Sequence, residues 1–301
     1  MPTSISTDHP SVQPSTTGSQ PAAPALLLVS TPIGNLKDMS IRAREALEGA
    51  DAILCEDTRT SAVLLSAYGI KTRCFPLHDH NEDSRIPALI QAMRSGARYA
   101  LISDAGTPLV SDPGYRLTRA AIDAGLLVGG IPGPNAAILA LTLSGLPPHP
   151  FLFLGFLPVK TGPRQAALTK LANAEAAGLS ATLILYEAPH RLAETLSDAA
   201  AILGPRPAAV CRELTKHFEE IRRETLPNLA AHYRQAAPRG EITLVIAPAT
   251  TEPTTPETLN ETLKAALTQM TLKDAVDAVT TATGLPRKQV YTHALALSRK
   301  E

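Results

Sequence analysis

The densest chemistry in the chain lies in Ser103-Asp-Ala-Gly-Thr-Pro-Leu-Val-Ser-Asp-Pro-Gly114. Two glycines, two prolines and two aspartates follow a short apolar run. Gly106 and Gly114 admit backbone angles that other residues resist, while Pro108 and Pro113 stiffen the path. A long loop of this kind inside a compact domain is usually a binding loop. Ile131-Pro-Gly-Pro-Asn-Ala136 is a second rigid turn. It either aims the first N–H groups of a helix at the same crevice or is a plain helix start with Asn135 as cap. A third segment, Tyr186-Glu-Ala-Pro-His-Arg191, offers a base in Glu187, a donor in His190 and a phosphate clamp in Arg191. An ordinary solvated loop would carry the same residues. Glu56-Asp57-Thr58-Arg59 and His78-Asp79-His80-Asn81-Glu82 add further polar clusters.

Each of these loops follows an apolar run short enough to be a buried strand. Strands predicted over 25–30, 52–55, 74–77, 99–103 and 126–131 alternate with helices over 40–50, 61–68, 85–95 and 115–124. That alternation means an α/β unit with a largely parallel sheet. In such sheets ligands sit beyond the carboxyl ends of the strands, which is where the polar loops fall. Gly145-Leu-Pro-Pro-His-Pro150 punctuates the chain. A second unit starts at 151–157, with strands over 182–186, 208–212 and 241–246 and helices over 160–177 and 191–203. The domains are therefore expected at 25–147 and 148–248. A linker over 249–256 and a small helical domain over 257–301, broken at Gly284-Leu-Pro, complete the chain. Residues 1–24 are rich in Pro, Ser and Thr and read as a disordered tail without the basic start and apolar core of a signal peptide.

Composition narrows the function by exclusion. Among 301 residues, 28 Lys+Arg balance 28 Asp+Glu, so any nucleic-acid contact must come from a local patch. Three cysteines, Cys55, Cys74 and Cys211, fit neither a zinc site nor a disulfide framework and suit the cytoplasm. No apolar run reaches the ~20 residues that span a bilayer, so no membrane partner is expected. Neither a G-x-x-x-x-G-K-[ST] loop nor a G-x-G-x-x-G after the first strand is present. The first loop, Ser30-Thr-Pro-Ile-Gly-Asn-Leu36, brings backbone close to a ligand but makes no pyrophosphate nest.

Seven strings in order, STPIGNL, CEDTR, HDHNE, SDAGTPLVSDPG, IPGPNA, YEAPHR and RGE, resemble the tetrapyrrole methylase superfamily, and within it the branch that methylates small-subunit ribosomal RNA. The superfamily's Gly-Asp-Pro loop corresponds to Gly106-Thr107-Pro108, and Thr in place of Asp is typical of that branch. The resemblance implies a two-domain tetrapyrrole-methylase-like α/β fold (class III methyltransferase) with a small C-terminal helical domain. It implies a homodimer, with S-adenosylmethionine in the cleft between the domains. The substrate implied is a cytidine 2'-hydroxyl in the decoding region of 16S rRNA within the small ribosomal subunit. By position, Pro32 and Ile33 line the cleft floor. Asp104, Gly106, Thr107, Leu109, Val110 and Ser111 hold the adenosine and methionine parts. Pro134, Asn135 and Ala136 close one side, and Tyr186, Gly240, Glu241 and Ile242 come from the second domain. Two rival readings are a tetrapyrrole or diphthine methylase of the same superfamily and a non-catalytic ribosome-binding factor.

A ribose hydroxyl is a poor nucleophile at neutral pH, so a general base is expected. Asp57 with Arg59, Asn81 with Glu82, and Glu187 with His190 are the candidates, with Glu187 or His190 favoured. Arg59 and Arg191 suit phosphate contacts. Arg287, Lys288, Arg299 and Lys300 would let the C-terminal helices meet the rRNA backbone; otherwise the segment is a structural cap or a dimer contact. No metal is needed.

Overall fold

The computed structural model describes residues 23–249, 256–268, 270–283 and 286–298. Nearly all of the expected tail, most of the expected linker, Gly284-Leu285, Arg299 and Lys300 lie outside the described residues. The chain forms two compact units, Met1–Ala247 and Pro248–Glu301.

In the first unit, β1 (Leu26–Val29), α1 (Ile41–Glu48), β2 (Ala52–Cys55), α2 (Thr58–Tyr68), β3 (Cys74–Pro76), α3 (Glu82–Arg94), β4 (Tyr99–Leu101), α4 (Tyr115–Asp123), β5 (Val128–Ile131) and α5 (Ala136–Ser144) alternate strictly. The five strands pair in parallel in the order β3-β2-β4-β1-β5. β2 is buried along its whole length, which is why Ala-Ile-Leu-Cys reads as an unbroken apolar run rather than an alternating one. Caps set the helix starts. The Ser40 hydroxyl accepts from the Ala43 N–H, and the Asp57 carboxylate accepts from the Arg59 N–H. α2 therefore begins at Thr58, ahead of the expected 61, because its cap lies within the polar turn itself. α3 also starts early, at Glu82.

The second half of this unit contains β6 (Phe151–Phe156), α6 (Thr161–Ala176), β7 (Thr182–Glu187), α7 (Leu192–Leu203), β8 (Pro207–Arg212), β9 (Glu220–Thr225), α8 (Leu226–Gln235) and β10 (Ile242–Ile246). Its sheet runs β6-β7-β10-β8-β9. Only the β6–β7 pair is parallel. β9 and α8 were not anticipated. Glu-Ile-Arg-Arg-Glu-Thr is polar at nearly every position and forms a strand only because β8 pairs with it at the sheet edge. In α8 the buried residues Leu226, Leu229, Ala230 and Tyr233 follow helical spacing.

Each half has its own core, and a further one joins them. Ala137, Ala140 and Leu141 of α5 pack with Ile33 from the first half and with Ile184, Ala209, Cys211 and Val245 of the second sheet. α5 thus follows the first sheet in sequence but is buried against the second.

The second unit consists of α9 (Pro256–Leu267), α10 (Leu272–Thr283) and α11 (Arg287–Ser298). Leu259, Leu263, Val276, Val279, Val290 and Ala294 form its core. Among the described residues, no helix is long and apolar enough to cross a membrane.

Candidate active site

The loops leaving β1, β4 and β5 converge at one end of the parallel sheet. The first two zip together past the strand ends. Thr31 N–H donates to the Gly106 carbonyl at 2.8 Å, and Gly106 N–H donates back to Thr31 at 3.1 Å. Gly106 holds φ +84°, and a Cβ there would meet Ile33 Cγ2 at 3.2 Å. Only glycine lets this backbone lie so close to the Ile33 side chain. Thr107 then ties the third loop in, its hydroxyl donating to the Pro134 carbonyl at 3.1 Å and accepting from Ser30 Oγ at 3.3 Å. A carboxylate at 107 could not donate to Pro134, which gives a physical reason for threonine here. Asn135 caps α5 by accepting from the Ile138 N–H at 3.1 Å.

The β4–α4 loop continues through two residues with left-handed backbone, Leu109 and Ser111, both at φ 70°. Non-glycine residues adopt this conformation at a cost of roughly 1–3 kcal/mol and persist there where surrounding contacts over-determine them, often at active sites. The contacts are visible. The Ser111 hydroxyl lies 3.1 Å from where a Cβ on Gly155 of β6 would sit. A bulge between Phe153 and Phe156 bends β6 at that point. At the far end of the loop, the Glu82 carboxylate is 1% exposed and accepts from Leu117 N–H at 2.7 Å and from Gly114 N–H at 3.4 Å. Glu82 therefore caps α4 from a distant part of the chain, where Gly114 has no side chain to do so. Glu82, with Asn81 one of three candidate bases, is an anchor instead, because its oxygens are buried and used.

Between these loops and the second sheet lies a cavity of about 380 Å³. Ile33, Val110, Phe156, Tyr186, Leu214 and Ile242 supply its apolar wall. Tyr186 packs edge-on against Phe153 at 4.9 Å and tilted against Phe156 at 5.7 Å. The charged residues on the lining are Asp104, Asp112, Glu187 and Glu241; no Lys, Arg or His is among them. Glu187 is paired with Arg191 and Glu241 with Lys216, which leaves Asp104 and Asp112 without a cation, so the cavity suits a ligand with flat or apolar parts and positive charge better than one carrying phosphates. Ile33, Asp104, Gly106, Thr107, Val110, Ser111, Asn135, Ala136, Tyr186, Gly240, Glu241 and Ile242 all reach it.

Three of the residues expected here do not line it. Leu109 turns into the core of the first sheet, Pro32 is buried, and Pro134 contributes its carbonyl to Thr107. Conversely, Asp112, Phe156, Cys211, Leu214 and Thr243 line the cavity without having been singled out. Asp112 belonged to the glycine- and proline-rich loop, and Gly155 inside a strand was a signal for the bulge beside Phe156.

Electrostatics separate the carboxylates. Burial, then the nearby Glu56 and Asp104, push Asp112 up to about 7, with the Ser103 hydroxyl offsetting part of the rise. Burial and the neighbouring Asp104, Asp79 and Asp57 also raise Glu56, against the lowering influence of His78. Glu187 is buried. It accepts from Thr195 Oγ1 at 2.5 Å and from the Ala188 N–H at 2.7 Å, and Arg191 Nη2 lies 3.3 Å away. Arg191 Nε is 3.1 Å from Glu187 Oε1, an ion pair bent too far to count as a hydrogen bond. Arg191 also donates to the Leu157 carbonyl at 2.8 Å. The expected phosphate clamp is thus an internal strut joining the ends of β6 and β7, with its guanidinium turned away from solvent. His190 is exposed on the short turn beside it and does not reach the cavity.

Across the mouth, Glu241 N–H donates to Glu213 Oε1 at 2.9 Å, while Lys216 Nζ sits 2.9 Å from Glu213 and 3.0 Å from Glu241. The Glu241 N–H contact leads in holding the Glu213 carboxyl below its ordinary range. The same segment reaches the first half through Thr215 Oγ1, which accepts from the Asn35 N–H at 3.1 Å. Asp57 lies just beside the cavity, its N–H donating to Asp104 Oδ1 at 3.2 Å. Arg59 is exposed and lies 3.5 Å from Asp57 Oδ1. In the second unit Arg287 pairs with Asp277 at 2.7 Å on an exposed face, and Lys288 is exposed. Among the described residues, no group of three or more His, Cys, Asp or Glu is arranged to hold a metal ion.

Comparison with known proteins agrees with this architecture. Residues 25–230 match the family model for tetrapyrrole (corrin/porphyrin) methylases. Residues 252–298 match that for the RsmI C-terminal HTH domain. A Mesorhizobium japonicum protein named ribosomal RNA small subunit methyltransferase I is 49% identical over 280 residues, covering 92% of this chain and 94% of its own. A Synechocystis protein of the same name is 44% identical, with 90% and 98% covered. Among solved structures, a diphthine synthase matches with a TM-score of 0.56 at 16% identity over 74% of this chain and 90% of its own, a likeness of fold alone.

Proposed function

Because this chain belongs to the tetrapyrrole methylase family, we propose that it uses its cavity to methylate small-subunit ribosomal RNA, at the 2'-hydroxyl of a cytidine ribose in the decoding region. The methyl donor is S-adenosylmethionine. The site fits it: the lining is aromatic and apolar on one side and carries four carboxylates with no basic side chain, matching a purine with a sulfonium and an ammonium. When bound, the donor supplies a methyl group already activated for displacement.

The protein's own contribution is position and dryness. Gly106 and Thr107 fix the floor, while Ile33, Val110, Phe156 and Ile242 exclude water. Asp104, on the cavity wall, would meet the donor's positive groups, while Glu241 is held by Lys216 at the rim. Orientation can supply up to roughly 7–11 kcal/mol of a displacement barrier. Arg59, exposed beside the cavity, is suited to a backbone phosphate. Arg287 and Lys288 give the helical unit a second basic surface, since an exposed ion pair such as Arg287–Asp277 opens at little cost. We assign the protein to the cytoplasm, acting as a homodimer on assembled small subunits.

The observation that carries the reading is the full-length likeness to rRNA methyltransferases, joined to an acidic, phosphate-averse donor cavity. The test is transfer from labelled S-adenosylmethionine to small subunits from cells lacking the protein, followed by digestion and identification of the nucleosides. Label in 2'-O-methylcytidine is expected. Donor binding without any label in subunits or free rRNA would overturn the substrate assignment and redirect attention to small-molecule acceptors. Removal of residues 251–301 is expected to weaken subunit binding and leave donor binding intact.

A further inference from the structure

We propose that Phe218, at the tip of the turn between β8 and β9, is a platform on which a base of the single-stranded rRNA substrate stacks at the cavity mouth, with Arg239 meeting a neighbouring phosphate. The assignment deepens the rRNA methyltransferase reading above and rests on it. No basic side chain lines the cavity, so a strand that presents one ribose to the donor must be held by its bases and phosphates at the rim. Cations are found there. Arg239 is exposed, directly precedes the lining residues Gly240 and Glu241, and has no ion-pair partner among the described residues. Lys37 is exposed two residues after Asn35, whose N–H bonds to the β8–β9 turn.

The turn is built to hold its tip still. Glu213 and Thr215 sit in the left-handed region at φ 51° and 68°, a conformation that non-glycine residues keep where contacts over-determine them. Thr215 N–H donates to Glu219 Oε2 at 2.7 Å, Thr215 Oγ1 accepts from Asn35 N–H at 3.1 Å, and Lys216 N–H donates to the Glu213 carbonyl at 3.0 Å. Leu214 of the same turn lines the cavity. Phe218 follows it by four residues, which span at most ~14 Å of chain, so the ring is close enough to serve a strand entering the mouth.

Phe218 is 67% exposed. His217 packs against it nearly edge-on, with centroids 4.8 Å apart and planes at 76°, which leaves a face of the Phe218 ring open. Phe156 is also exposed but packs on Tyr186 within the cavity wall. A single aromatic face set among cations fits a nucleic-acid strand better than a second copy of the chain. Protein interfaces deplete charge around their apolar centre, whereas single-strand binders combine aromatic faces with basic groups. The carboxylates nearby are engaged: Glu219 accepts the Thr215 N–H, and Glu213 and Glu241 share Lys216.

The test measures the affinity of wild type, Phe218→Ala, Phe218→Leu, Phe218→Tyr and Arg239→Ala for small subunits from cells lacking the protein, over a range of salt. Calorimetric binding of S-adenosylmethionine and sedimentation accompany it. Phe218→Ala is expected to bind subunits about 5–150-fold more weakly, the span of base–aromatic stacking, with the salt slope unchanged and KM for subunits raised more than kcat is lowered. Phe218→Leu, equally apolar but without a flat face, should stay weak, and Phe218→Tyr should recover most of the affinity. Arg239→Ala should reduce the slope of log affinity against log salt by about one. The chain contains no tryptophan, so Phe218→Trp places a single fluorophore at the tip. Oligocytidylate should quench it, and an abasic chain of the same length should not. Wild-type affinity in Phe218→Ala, or full rescue by leucine, would overturn the stacking role. So would a loss of donor affinity equal to the loss of subunit affinity, because Phe218 would then shape the turn, or dissociation into monomers, because it would then join two copies. If wild type labels no rRNA while oligocytidylate still quenches Phe218→Trp, the substrate reading falls and the platform stands; absence of quenching overturns the platform itself.

Discussion

Replacing Glu82 by alanine tests how the donor loop is held, and its effect can be worked from the contacts. The carboxylate is buried, and its bond from the Leu117 N–H, at 2.7 Å, joins a charged acceptor to the first turn of α4. Charge-assisted hydrogen bonds of this kind contribute about 1.5–3 kcal/mol. Negative charge at a helix N-terminus adds about 0.3–1 kcal/mol. The bonds from Gly114 N–H and Arg116 Nε, both 3.4 Å, are long enough to add little. Alanine supplies no acceptor and leaves the Leu117 N–H buried, so the expected local loss is about 3 kcal/mol, or roughly 100-fold in an opening equilibrium. Amide hydrogen exchange reads this directly. Leu117 should exchange about 100-fold faster, while β7 and β10, which lie in the other sheet, should be unaffected. Because Gly114 closes the loop that carries Asp112, binding must reorder that loop wherever it has opened, and S-adenosylmethionine affinity should fall in proportion to the opened fraction. Glu82→Gln keeps one oxygen acceptor and should lie between the two. Exchange at Leu117 within threefold of wild type in Glu82→Ala would refute the idea that this contact anchors the loop.

Asp112→Asn is expected to stabilise the protein above pH 7. The folded state holds a proton that the unfolded chain releases between 3.8 and about 7, so wild type loses stability as pH rises through that window. The full shift corresponds to roughly 4 kcal/mol, but partial exposure lets water screen it, leaving about 1–2 kcal/mol. Melting temperatures at pH 4 and pH 8 should show a gain only at the higher pH. In Gly240→Ala, a Cβ would overlap the Glu213 carboxyl at a backbone φ of +85°, so calorimetry should show donor binding weaker by about tenfold, with about 1–2 kcal/mol of stability lost. Arg191 and Arg59 should separate by salt dependence. Arg59→Ala should reduce the slope of log affinity for rRNA against log salt by about one. Arg191→Ala should leave that slope unchanged and cost about 3–5 kcal/mol of stability, because it strands the buried Glu187 carboxylate.

Local chemistry in the sequence determined much of this protein. Apolar runs of strand length alternating with capped helices dictated a parallel sheet. The position of polar loops after those runs dictated where a ligand would sit, because strand ends and loop ends are fixed by the chain itself. Ser40 and Asn135 were legible as caps for the same reason, since a cap bonds to residues only three positions away. The missing phosphate motifs were equally legible. The roles of individual charged side chains were not. Glu187 and Arg191 look like a reactive pair in a loop and become a strut because β6 supplies the Leu157 carbonyl and α7 the Thr195 hydroxyl. Glu82 looks like a base beside histidines and becomes a cap because α4 starts against it. Asp112 looks like one of two equivalent loop aspartates. It is set apart only by the Glu56 and Asp104 charges that folding brings near and by burial that no local pattern encodes. Burial, partner and field are sums over groups distant in sequence, so only the tertiary structure decides which carboxylate holds the fold and which lines the cavity.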